Sequence, residues 1–243
     1  MMGLALVLSV LIGISLGMLG GGGSILTTPI LIYALGIPVA SAIPTSLLVV
    51  GVTSLAGVIR HARAGNVVWR SGMLFGAAGM AGAATGGWIA QWIPAEILMG
   101  MFAAMMLVTS VAMFRGRPDV RAVEAPIWQI VAQGAGVGLL TGTVGAGGGF
   151  LIVPALVLLG GLPMQRAVGT SLLVIALNSA AGFAGHAAHA DLDLPLAAGV
   201  TAAAVTGSVI GSRLTALISP DALRRGFAVF VLFMGAFVLY KQF

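Results

Sequence analysis

The sequence predicts an all-α polytopic membrane protein built as two inverted repeats, and three observations carry that reading. Charged residues make up 7% of the chain and hydrophobic residues 59%, whereas a soluble domain carries about 25% charged residues. The apolar residues fall into ten runs, and the few charges lie between them. The runs of the first half recur in the second half at a constant spacing.

The first five runs cover 2–19, 25–35, 43–59, 72–90 and 97–114, and the second five cover 127–144, 150–160, 168–184, 195–212 and 224–240. Runs of this length can cross a hydrocarbon core of ~30 Å at a rise of ~1.5 Å per residue. The second and seventh are too short to do so and read as half-helices or re-entrant arms. The run from Met2 to Leu19 has no basic residues before it and recurs later, so it reads as structure, not as a signal peptide. Residues 1–243 form one membrane domain, with repeat one at 1–114, a polar linker at 115–125 and repeat two at 126–243.

The repeat is measurable. Shifting residues 13–61 by 125 positions places them on 138–186 without a gap, and 20 of the 49 pairs are identical. Composition alone gives roughly a tenth. Matched pairs include Gly17 with Gly142, Pro29 with Pro154, Gly36 with Gly161, Pro38 with Pro163, and His61 with His186. Gly82 and Gly86 fall on Gly207 and Gly211.

Charge sets the expected orientation. Arg60, Arg63 and Arg70 mark the loop at 60–70 as cytoplasmic, while the equivalent loop at 185–194 holds Asp191 and Asp193 and no Lys or Arg. Arg115, Arg117 and Arg121 in the linker, with Arg213, Arg224 and Arg225 later, again read as inside. Five runs per half invert the second half relative to the first and leave both termini outside a bacterial-type plasma (inner) membrane. The net charge of +5 is explained by these loops, and no nucleic acid partner is expected. The chain has no cysteine, which excludes disulfides, thiolate metal sites and cysteine nucleophiles.

The strongest chemical signal is a pair of glycine runs. Gly20, Gly21, Gly22 and Gly23 precede Ser24 and Pro29, and Gly145, Gly147, Gly148 and Gly149 precede Pro154. Such runs make a poor helix, at about 1 kcal/mol per glycine relative to alanine. Broken backbone at membrane depth needs cover from protein or a water-filled cavity. Each run joins a long segment to a short one, the pattern of a discontinuous helix. The short helices are expected to start at Ser24 and Gly149, with free N–H groups that attract anions. The alternative is a tight hairpin that serves packing alone. Gly13, Gly17, Gly134, Gly138 and Gly142, spaced four apart, read as helix-packing positions. No lysine accompanies the glycines, since Lys241 is the only one, so they are not nucleotide loops.

Thr45 and Ser46, with Thr170 and Ser171, are placed at the start of the third segment of each half, where hydroxyls cap the helix or hold an oxyanion. Asn178 is the one amide in the middle of a spanning run, at the position equivalent to Thr53. A functional role and a single interhelical hydrogen bond explain it equally well. His61 and His186 end the third segments near opposite faces, where they either couple proton movement or simply reach water. No carboxylate lies in mid-segment, no HExxH is present, and no serine is paired with a base, so no enzyme activity, catalytic residue, cofactor or metal is expected.

The doubled glycine run, each copy followed by a proline and then by Thr-Ser-Leu-Leu-Val, resembles the sulfite exporter TauE/SafE family over essentially the whole chain. The resemblance implies about eight spanning helices and transport of sulfite, thiosulfate or an organosulfonate. The expected function is secondary transport of such a small anion by alternating access. The site would lie at the midplane between the two broken helices, lined by Gly20 to Ser24, Gly145, Gly147 to Gly149, Thr45, Ser46, Thr170 and Ser171. An anion channel and a membrane scaffold or assembly factor are the alternatives. The expected partners are the anion and the lipid bilayer, with a homodimer as a further arrangement.

Overall fold

The computed structural model describes residues 2–116, 126–144, 149–186 and 193–242. The described residues form helices and no strands. Repeat one contributes α1 (Met2–Leu19), α2 (Gly22–Pro29, continued by a π-helical stretch Ile30–Ala34), α3 (Val39–Arg63), α4 (Trp69–Ala90) and α5 (Ala95–Arg115). Repeat two contributes α6 (Ile127–Val144), α7 (Gly149–Pro154, continued by Ala155–Leu159), α8 (Met164–His186), α9 (Leu194–Leu217) and α10 (Pro220–Gln242). Six of these, α3, α4, α5, α8, α9 and α10, hold stretches long and apolar enough to cross a membrane. The eighteen-residue α1 and α6 are the other two full-length helices, so the expected eight would be six plus these two.

The short helices show why local sequence repeats become local geometry. Proline at 29 and 154 has no N–H, and the helix widens to i→i+5 bonding directly after it. Leu35 N–H bonds Ile30 O at 3.2 Å and Gly160 N–H bonds Ala155 O at 2.9 Å, two bonds related by the 125-residue shift. Gly36 and Gly161 then turn the chain, each at φ 67°, a left-handed conformation that glycine adopts without steric cost.

Packing crosses between the repeats. Helix α1 lies along α9, and α6 lies along α4. Backbone meets backbone there, and a Cβ at any of eight glycines would strike a main chain. Gly13 faces Ala204 and Gly17 faces Ser208, while Gly138 faces Gly79 and Gly142 faces Ala83. In the reverse sense Gly207 faces Val10 and Gly211 faces Ile14, while Gly82 faces Ala135 and Gly86 faces Leu139. Each contact in one pair of helices has its counterpart in the other at a shift of 125. Small residues are needed because lipid supplies no hydrophobic drive between helices, and close backbone approach is what holds them.

The third and fifth helices of the two halves pack on each other, α3 on α8 and α5 on α10. On α3 and α8, Gly57 meets Leu172, Gly51 meets Ser179 and Gly182 meets Leu47. Residue numbers rise on one helix as they fall on the other, so the pair is antiparallel and crosses beside Val52 and Leu177. The C-terminal end of α3 therefore lies at the N-terminal end of α8, and the two helices finish at opposite ends of the pair. Helix α5 joins α10 through Ser110 Oγ, which donates to Ala228 O at 2.8 Å. It also holds α7 by an edge-to-face contact of Phe102 with Phe150, with ring centroids 5.4 Å apart. Trp69, Trp88, Trp92 and Trp128 are exposed near helix ends, the depth at which indole rings settle at a membrane interface.

Two boundary differences move the Thr-Ser pairs. Helix α3 starts at Val39 and α8 at Met164, several residues before the Thr-Ser pairs. Pro44 lies inside α3, where its missing N–H falls in the second turn and does not stop the helix. Thr45 and Ser46 are thus inside α3, and Thr170 and Ser171 inside α8. None of them is an N-cap.

Candidate functional site

The first break is two residues long. Gly20 sits at φ 75°, which ends α1, although its N–H still bonds Leu16 O at 2.8 Å. Gly21 returns to right-handed backbone at φ −77°, and α2 begins at Gly22, not at Ser24. Gly22 and Gly23 are therefore helical, and the positive φ falls on Gly20 alone within this run. Helix α7 begins at Gly149 as expected. Gly145, Gly147 and Gly148 lie outside the described residues.

The carbonyl end of α1 has specific partners. His61 Nε2 lies 3.2 Å from Gly17 O, and because a carbonyl only accepts, Nε2 carries the proton. Thr215 Oγ1 reaches Gly17 O at 3.4 Å, Met18 O at 3.3 Å and its own Gly211 O at 3.1 Å. Both side chains are buried, at 3% and 1% exposure. They satisfy carbonyls that a helix terminus otherwise leaves open. Sequence reasoning missed Thr215. Its signal was a hydroxyl in the last turn of α9, at the position where repeat one has Ala90. His186 closes α8 at the opposite end of the α3–α8 pair, and its side chain lies outside the described residues.

The first break touches the start of α7. A Cβ on Gly21 would meet Gly149 O and, at 2.6 Å, Phe150 N. A Cβ on Gly149 would meet Ser24 Oγ, and that hydroxyl donates back to Gly21 O at 2.7 Å. In this conformation Gly21 and Gly149 are in contact, without a gap between them. Gly23 packs against Ile12 and Leu16 of α1, so it faces packing and not the junction. No side chain caps the start of α2.

Helix α8 closes over the junction. Ser171 Oγ lies 2.5 Å from where a Gly20 Cβ would sit, and Ile175 Cδ1 lies 3.3 Å from where a Gly149 Cβ would sit. Ser171 donates to Val168 O at 2.8 Å. Thr170 Oγ1 accepts from Val68 N–H at 3.0 Å, which ties the loop after α3 to α8. On the other side Thr28 Oγ1 and Ser46 Oγ are 3.0 Å apart, and Thr45 donates to Ser41 O of its own helix at 2.7 Å. The structure thus brings Gly20, Gly21, Ser24, Gly149 and Ser171 together, with His61 and Thr170 beside them. Thr45 and Ser46 attach to α2 and α3 instead. A separate apolar groove of about 540 Å³, lined by Leu48, Val52, Ala197 and Thr201 among others, lies between α3 and α9 and includes none of these residues.

Long apolar helices arranged about two broken ones define a multi-pass helical membrane protein. The chain belongs to the sulfite exporter TauE/SafE family, whose model matches residues 5–238. It is 34% identical to a "Probable membrane transporter protein" of Xylella fastidiosa over 96% of this chain and 92% of the relative. It is 28% identical to the probable membrane transporter protein YdhB of Bacillus subtilis over 88% of this chain and 90% of that one. A third relative, the probable membrane transporter protein MJ0441 of Methanocaldococcus jannaschii, is also 28% identical, over 97% and 96% of the two chains. No solved structure matches at a significant level. Family and relatives together make the protein a membrane transporter.

Proposed function

We propose that the protein is a secondary transporter of a small anion, with sulfite, thiosulfate or an organosulfonate as the substrate class, and that the anion binds where the two breaks meet. The observation that carries this reading is the contact of Gly21 with Gly149 and Ser24. The first break and the start of α7, from opposite repeats, meet at one point between the spanning helices. The first N–H groups of α2 have no side-chain cap, so they are free to hold an oxyanion. Ser24 and Ser171 add hydroxyls at the same place, and Gly145, Gly147, Gly148 and Gly149 would complete the second side. Thr45, Ser46 and Thr170 would support the walls. Neutral donors without an arginine suit weak, reversible binding.

A junction with one side from each repeat suits alternating access. Each repeat contributes one half of the junction, and a rocking of one against the other would open it first to one side and then to the other. The conformation with the breaks in contact is then a closed state. His61 and His186, at opposite ends of the α3–α8 pair, are the candidates for proton coupling. The protein would sit in a bacterial inner membrane with both termini outside. The same close contact also suits a scaffold whose glycines serve packing alone.

Binding separates the two readings. Purified protein should melt at a higher temperature in millimolar sulfite, thiosulfate or sulfoacetate than in chloride at equal ionic strength, since a ligand that binds only the folded form stabilises it by mass action. A melting temperature indifferent to all three anions would favour the scaffold.

A further inference from the structure

We infer that Thr53 and Asn178 are further solute-binding residues, which extend the anion site from the breaks to the centre of the α3–α8 crossing. The inference rests on the anion-transport reading above. A polar atom without a partner inside a membrane protein is costly, and native structures keep one where a water, ion or ligand completes it. Among the described residues, the hydroxyls of Ser15, Thr53 and Ser54 and the carbonyl oxygen of the Asn178 side chain are buried with no hydrogen-bond partner. Thr53 and Asn178 are repeat equivalents, separated by 125 positions.

Thr53 is the more telling of the two because its chemistry offers an easy alternative. A threonine or serine inside a helix commonly bonds the carbonyl four residues back. Thr27, Thr45, Thr143, Thr201, Thr206 and Ser212 all do so here. Thr53 is fully buried at 0% exposure and its hydroxyl makes no such bond. Its carbonyl is already taken by Ser208 Oγ at 3.3 Å.

Placement points the pair at the junction. Ser171, Ile175 and Asn178 are spaced i, i+4, i+7 along α8 and share one face. The first of them touches Gly20 and the second touches Gly149, so Asn178 lies one turn further along the face that covers both breaks. On α3 the same stripe is Ser46, Val50 and Thr53, and Ser46 meets Thr28 of α2. The antiparallel crossing beside Val52 and Leu177 sets Thr53 and Asn178 next to its centre, midway between the two ends. The Thr53 hydroxyl and the Asn178 Nδ2 are neutral donors, matched to the oxygens of a small oxyanion that must be released again, and the unpaired Asn178 Oδ1, which only accepts, would take a water carried with the anion or the proton of a hydrogen oxyanion.

The test uses Thr53→Val and Asn178→Leu, which keep size and remove polarity, with Thr53→Ser as the conservative control. Purified proteins in liposomes are assayed for sulfite, thiosulfate and sulfoacetate uptake, and their melting temperatures are measured without anion. The inference predicts melting temperatures equal to or above the parent, because an unpaired polar atom has been removed. It predicts a KM raised at least about tenfold, the loss of one hydrogen bond to a charged group, and near-parent transport by Thr53→Ser. Variants that melt well below the parent assign these groups to the fold and overturn the inference. So do stable variants with parental KM. If the parent itself moves none of the three anions, the transport reading fails and this inference goes with it, a result distinct from a parent that transports and variants that match it.

Discussion

Gly21 gives the sharpest prediction, because its Cβ direction is filled by the main chain of the opposite repeat. Replacing Gly21 with alanine puts a methyl against Gly149 O and Phe150 N, and backbone cannot rotate aside as a side chain can. Overpacking of this kind costs about 1–3 kcal/mol, offset by up to about 1 kcal/mol from replacing glycine by alanine. Gly136 is the internal control. It lies inside α6 with nothing within 4 Å of a Cβ, so Gly136→Ala should stabilise by about 0.5–1 kcal/mol. The two substitutions are chemically identical and should move stability in opposite directions, about 1–3 kcal/mol apart. Tryptophan fluorescence during unfolding in mixed micelles reads both. Equal stability of Gly21→Ala and Gly136→Ala would refute the claim that the breaks are in backbone contact. A destabilised Gly21→Ala that still transported at the parental rate would leave the contact and remove the site from it.

Three further outcomes are expected. His61→Leu and Thr215→Val should each cost about 0.5–1.5 kcal/mol, one neutral hydrogen bond, while the double variant should cost more than their sum because Gly17 O is then left unpaired; strict additivity in a double-mutant cycle would contradict the shared carbonyl. Asp193 Oδ1 accepts from Leu196 N–H at 3.0 Å at the start of α9, so Asp193→Ala should lose about 1 kcal/mol in the same unfolding assay, with Asp193→Asn retaining most of it. In this cysteine-free chain, cysteines at 63 and 191 should react with an impermeant maleimide from opposite sides of the membrane, and labelling of both from one side would rule out the inverted arrangement.

Much of the fold was legible because the repeat carries its punctuation with it. The π-helical turns after Pro29 and Pro154 and the left-handed Gly36 and Gly161 sit where a 125-residue shift puts them, since proline and glycine act locally. Helix partners were not legible. The periodic glycines of α1 and α6 announced close packing, but nothing local says that α1 seeks α9 of the other repeat. That choice depends on which backbone offers a matching row of small residues. The starts of α3 and α8 were missed because the apolar runs begin only at 43 and 168, whereas α3 starts at Val39 after the N-cap Pro38 and runs through Pro44, and α8 starts at Met164. Within the glycine run, sequence could not say which residue takes the left-handed turn. Gly20 does so, directly after α1 carbonyls that His61 and Thr215 hold, long-range contacts invisible in the run itself.

The central claim is that the junction of the two breaks is an alternating-access anion site, and solute counterflow tests it most directly. Proteoliposomes preloaded with unlabelled thiosulfate or sulfite are diluted into a trace of the labelled anion. The account predicts a transient internal accumulation of label above equilibrium, abolished in Gly21→Val and absent from protein-free vesicles. Label that only equilibrates would mark a channel. No entry of any small sulfur oxyanion or sulfonate, with folded protein recovered from the same vesicles, would contradict the account.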